Sequence, residues 1–140
     1  MTITMWPARA LVGAGVLALL LLAGCGGQGG VTATLNDTSI QVAPSSATAG
    51  DVTFHITNSS ATEKHEFVVI QTDLSADQLP LDADGNIDED KLTSPGEKGD
   101  MGPGEKADLS LKLAAGHYQL ICNLPQHFKE GMHTSFTVTP

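Results

Sequence analysis

The sequence predicts an all-β sandwich, and three observations carry that reading. Apolar and polar residues alternate over most of the chain after residue 30, the period-two signature of half-buried strands. Clusters of Asn, Asp, Ser, Gly and Pro separate these runs at short intervals, as turns between strands require. No amphipathic helix of any length is visible, which leaves strand-on-strand packing to form the core.

The elements follow in order. Val31, Ala33 and Leu35 alternate with polar residues, and Asn36-Asp37 signals a turn. Ile40 and Val42 continue the pattern up to Pro44. Val52, Phe54 and Ile56 alternate with Thr53, His55 and Thr57 until Asn58-Ser59-Ser60 ends the strand. Phe67 to Ile70 is a continuous apolar run, expected for a central strand buried on both faces. Ala107, Leu109, Leu111 and Leu113 form another alternating strand. Gly116 precedes Tyr118, Leu120 and Cys122 on one face, and Phe136 and Val138 close the chain. The total is about seven short strands. Residues 71–105 break the pattern and read as a long insertion loop. Leu74 to Leu79 predicts one or two helical turns, and four glycines or prolines cluster at Gly99, Gly102, Pro103 and Gly104. A connection this long in a small domain is expected to be functional or mobile.

The N-terminus reads as a targeting segment. Residues 10–22 are apolar, with Arg9 as the only charged side chain before them. The run is short for a membrane span and fits a signal-peptide h-region. Leu22-Ala23-Gly24-Cys25 resembles the lipobox of bacterial lipoproteins, which implies cleavage before Cys25 and a diacylglyceryl group on its sulfur. The expected organisation is a signal peptide over 1–24, a lipidated Cys25 with a Gly-rich tether over 25–30, and one domain over 31–140. The expected location is extracytoplasmic, lipid-anchored to the bacterial cell membrane. Loss of Arg9 takes the formal charge from −9 to −10. So acidic a domain is not expected to bind nucleic acid, anionic lipid repels it, and a basic partner suits it. With Cys25 acylated, Cys122 is the one remaining thiol, and an unpaired cysteine outside the cell invites a task such as metal binding.

Cys122, His127 and Met132 lie in a C-x4-H-x4-M pattern. A thiolate, an imidazole and a thioether on one loop suit copper better than other common metals. A second histidine upstream completes a trigonal site with a weak axial Met, and His65 is well placed for it. Such a compromise between Cu(I) and Cu(II) preferences requires little movement on electron transfer. Zinc is disfavoured because thioether is not among its usual ligands.

These residues resemble the cupredoxins, the type 1 blue-copper group that includes plastocyanin, azurin, auracyanin and sulfocyanin. The spacing is most similar to the auracyanin and sulfocyanin branches. Gly116-His-Tyr118 before Cys122 resembles the strand entering the cysteine ligand, and Asn58 followed by His65-Glu66-Phe67 resembles the first-histidine segment. The resemblance covers roughly residues 31–140 and implies a Greek-key β-sandwich. It implies that one copper ion is held by His65, Cys122 and His127 in plane and by Met132 axially. It further implies one-electron transfer between membrane-associated redox proteins. The expected partner is a c-type cytochrome, a terminal oxidase or another membrane redox complex, and no enzyme activity is expected. A monomer is expected. The amide N–H groups of Glu66 and Leu124 are expected to bond the Cys122 sulfur. The alternative function is extracytoplasmic copper handling or storage.

Other residues read more blandly. His55 and His117 lie on polar strand faces and are expected to be solvated. His133 adjoins Met132, so a place at the site opening is the alternative to its reading as a surface histidine at a strand entry; Met101 reads as a loop residue without function. Asp82 to Asp90 carries five carboxylates. It departs from the EF-hand template, because Gly85 comes too early and no Glu follows at the required distance. A solvated acidic loop is expected there.

Overall fold

The computed structural model describes residue 2 and residues 30–140. The apolar run at 10–22, Cys25 and the glycines before residue 30 lie outside the described residues. Among those described, no helix is long and apolar enough to cross a membrane.

Nine strands form two mixed sheets. They are β1 (Val31–Asn36), β2 (Ser39–Ala43), β3 (Ser46–Thr48), β4 (Gly50–Asn58), β5 (His65–Gln71), β6 (Thr93–Met101), β7 (Lys106–Leu113), β8 (Gly116–Ile121) and β9 (His133–Thr139). One sheet has the order β2-β1-β4-β7 and the other β3-β9-β8-β5-β6. The β1–β4 and β3–β9 pairs are parallel.

The period-two residues point where expected. Val31, Ala33 and Leu35 on β1 and Val52, Phe54 and Ile56 on β4 are buried between the sheets. Phe54 packs against Phe67 and Phe136 with ring centroids 5.2 and 5.4 Å apart, within the range of favourable aromatic pairs. The run Phe67 to Ile70 is buried on both faces. Phe67 and Val69 face the main core, whereas Val68 and Ile70 join Ile121, Leu79 and Ile87 in a second apolar cluster.

Two strands were not foreseen. β3 has only three residues, too few for a periodic signal. β6 lies inside the expected insertion loop and contains Pro95, Gly96 and Gly99. It survives because it is an edge strand, where Pro and Gly are tolerated, and its pairing with β5 is irregular at two points. The insertion proper therefore shrinks to residues 72–92. It holds two single 3-10 turns, Ala76–Gln78 and Glu89–Lys91, and its Leu79 and Ile87 cover the outer face of β5. Met101 is likewise not a free loop residue. It ends β6, opposite His65, and is fully buried.

Asn58 fixes the crossover that delivers His65. Its buried amide donates to the Glu63 carbonyl at 2.9 Å and the Met101 carbonyl at 3.0 Å. Its carbonyl oxygen accepts from the Ser60 amide at 2.9 Å. The Ser60 hydroxyl then accepts the amides of Thr62 and Glu63 at 3.2 and 2.8 Å. Asn58→Ala strands several buried polar groups at once, each costly to leave unpaired. We expect it to lower the stability of the metal-free protein by about 2–4 kcal/mol, seen as a lower urea midpoint at unchanged slope.

Candidate metal centre

The ligand-bearing loop is closed by backbone hydrogen bonds. The Cys122 amide donates to the Met132 carbonyl at 3.0 Å, and the Met132 amide to the His127 carbonyl at 3.0 Å. The His127 amide bonds the Leu124 carbonyl at 3.0 Å. That closes a turn with Pro125 second and Gln126, at φ 72°, third, the pattern of a type II turn. The C-x4-H-x4-M spacing thus folds back on itself, and residues 122, 127 and 132 meet at one end of the sandwich.

His65 arrives from the start of β5. Its Nδ1 is 3.1 Å from Nδ1 of His127, which is 3.4 Å from Sγ of Cys122. One ligand atom from each of the three side chains lies within 4.8 Å of the others. Donors about 2.0–2.3 Å from a common ion lie roughly this far apart, so the three atoms fit around one metal. His65, Cys122 and Met132 are fully buried, while the His127 side chain keeps 16% of its exposure.

Burial disfavours charge on two of the three side chains. Burial pushes the Cys122 thiol up, opposed by amide bonds from Glu66 and Leu124 that pull it down. The Glu66 amide lies 3.4 Å from the sulfur. Burial lowers the His65 pKa and the neighbouring His127 lowers it further, with Asp37 and Glu63 acting the other way. A metal ion held there would take the place of the thiol proton and supply the positive charge that the buried sulfur otherwise lacks.

Three polar residues around the site were not singled out by sequence. Asn123, directly after the cysteine, donates its amide to the Glu66 carboxylate at 2.9 Å. Its side chain accepts the Ile87 amide at 2.7 Å and donates to the Ile87 carbonyl at 2.9 Å and to Glu89 at 2.7 Å. Burial pushes the Glu66 carboxyl up, and the Asn123 bond partly reverses this. Asp37 Oδ1 lies 3.5 Å from His65 Nε2, and Glu63 Oε2 lies 3.8 Å from His127 Nε2. Asn123 stands beside a candidate ligand and was open to suspicion. Asp37 carried only the signal of a turn.

The remaining histidines are not members of this cluster. His55 is exposed and pairs with Asp108 across β4 and β7 at 2.7 Å. His117 is exposed on β8. His133 begins β9, half-buried, with its ring 4.9 Å from that of Phe128.

Residues 30–139 match the family model described as copper binding proteins, plastocyanin/azurin family. Solved structures share the fold. Auracyanin from the photosynthetic bacterium Roseiflexus castenholzii aligns at a TM-score of 0.59 and 19% identity, covering 78% of this chain and 95% of its own. Auracyanin A from Chloroflexus aurantiacus, a "blue" copper protein, aligns at 0.56 and 19% identity, covering 77% and 96%. Rusticyanin from Thiobacillus ferrooxidans aligns at 0.53 and 22% identity, covering 78% and 75%. No curated protein matches the chain significantly.

Proposed function

The chain belongs to the plastocyanin/azurin family of copper-binding proteins, and from that premise we propose that it carries single electrons between membrane-associated redox proteins. The family's cofactor is one type 1 copper ion, and His65, Cys122, His127 and Met132 form a ligand set typical of it. Bound there, copper supplies a one-electron Cu(I)/Cu(II) couple. The observation that carries the reading is the triangle of His65 Nδ1, Cys122 Sγ and His127 Nδ1, buried except at His127 and closed by the backbone.

The chain's own residues then have definite tasks. His65, anchored at the start of β5, and Cys122, at the end of β8, tie two neighbouring strands of one sheet. The amides of Glu66 and Leu124 stabilise the thiolate. Met132, fully buried and held by its two backbone bonds to Cys122 and His127, would offer its thioether as a further weak ligand. His127 is the partly exposed ligand and offers the shortest way in for a partner. A carrier of this kind needs no substrate contact, so we read the chain as no enzyme. Copper handling, the alternative, calls for ready exchange of the ion, which a closed and buried site suits less well.

The site has a direct test. Cys122→Ser should abolish the intense visible band of the Cu(II) protein, because that transition needs the thiolate. Retention of the band in the variant would remove the reading.

We further propose a basic redox partner, such as a c-type cytochrome or a terminal oxidase. Support comes from the acidic charge and from Asp84 and Asp90, both exposed on the insertion. Asp84→Asn with Asp90→Asn should slow reduction by a basic cytochrome at low salt. The difference should vanish as screening rises, while the visible band stays in place. A rate indifferent to both charge and salt would point instead to an apolar docking face around exposed Pro125 and half-buried Leu124 and Phe128.

Location follows from the lipobox resemblance at Leu22–Cys25. A diacylated Cys25 would hold the domain at the outer side of the cell membrane, two acyl chains being enough for a stable anchor. Mass spectrometry of the N-terminal peptide should find the acylated cysteine at residue 25. An unmodified, freely soluble product would refute the anchor.

A further inference from the structure

The turn between β1 and β2 reaches the metal centre from outside. Gly131, one residue before Met132, has φ 113°, and a Cβ there would lie 2.7 Å from the Thr38 carbonyl. The missing side chain lets the turn at residues 37–38 settle on the ligand loop. This contact carries Asp37 over His65.

The two imidazoles differ in what their far nitrogens meet. Nε2 of His65 is buried without a hydrogen-bond partner, and its nearest carboxylate oxygen is Asp37 Oδ1 at 3.5 Å. That separation is at the outer edge of a hydrogen bond. The Asp37 side chain is 56% exposed and free to close the gap by a small rotation. Nε2 of His127 faces Glu63 at 3.8 Å, but on a ring that keeps contact with solvent. A neutral imidazole that ligates through Nδ1 carries its proton on Nε2. The far nitrogen of His65 is then a buried donor, whereas that of His127 has water as a substitute.

We propose that Asp37 is a positioning residue for the copper site: its carboxylate accepts the Nε2–H of His65, holds the ring with Nδ1 toward the metal and makes the imidazole a stronger donor. The inference rests on the type 1 copper reading. A richer nitrogen donor favours Cu(II) over Cu(I), as outer hydrogen bonds do for other metal-bound histidines. Asp37 therefore lowers the reduction potential. Glu63 acts weakly, because water competes for its partner.

The experiment compares Asp37→Asn, Asp37→Glu and Glu63→Gln by redox titration of the visible band. Solvent exchange of the His65 Nε2–H is followed by NMR in the diamagnetic Cu(I) state. Asp37→Asn should shift the Cu(I):Cu(II) ratio about tenfold toward Cu(I), equivalent to about +59 mV for one electron. It should also speed Nε2–H exchange at least tenfold. Asp37→Glu should recover most of both effects, and Glu63→Gln should shift the ratio less than about threefold. An Asp37→Asn ratio within twofold of wild type overturns the inference. So does an equal shift in Glu63→Gln, which would make the effect one of field alone. A wild type without the intense band overturns the copper reading itself, whereas a normal band with an unmoved potential in Asp37→Asn overturns only the role of Asp37.

Discussion

Much of the molecule is organised around the burial of one sulfur. Cys122 is fully buried, and a thiolate there has no water to stabilise it. Its charge must be met by a metal and by amides from Glu66 and Leu124. These two amides come from different chain segments, one opening β5 and one leaving β8. The sandwich must hold both in register before any ion arrives. Asn58 supports that register from the β4–β5 crossover, and the bonds among Cys122, His127 and Met132 do so within the loop.

The same logic explains which parts of the fold were legible in sequence. Val31, Ala33 and Leu35, or Val52, Phe54 and Ile56, announce strands because each face of a sheet has one solvent. The loop pattern of Cys122, His127 and Met132 is local, so spacing alone nearly determines it. β6 was hidden because Pro95, Gly96 and Gly99 are turn residues by chemistry, and only its edge position makes them acceptable in a strand. Asp37, Glu63 and Asn123 were hidden for another reason. Their importance arises from tertiary contacts with residues 28, 64 and 36 positions away in the chain, and no local pattern encodes such contacts.

The insertion also has a physical role that its composition conceals. Its acidic and turn-rich surface suggests a solvated loop, yet Leu79 and Ile87 add a second apolar cluster against Val68, Ile70 and Ile121. β5 and β8 are therefore covered on both sides next to the ligands. A strand with both faces packed has fewer ways to flex, and a metal site at its end inherits that restraint.

Asn123 draws these parts together. Its backbone amide is fastened to Glu66, and its side chain is spent on Ile87 and Glu89. The acidic surface and the thiolate are thus joined through a single residue next to Cys122. A partner that docked on the insertion, as proposed above, would grip a handle whose position relative to the metal site is already set. Tunnelling depends steeply on distance and orientation, and here both would be determined by the framework and not by the encounter.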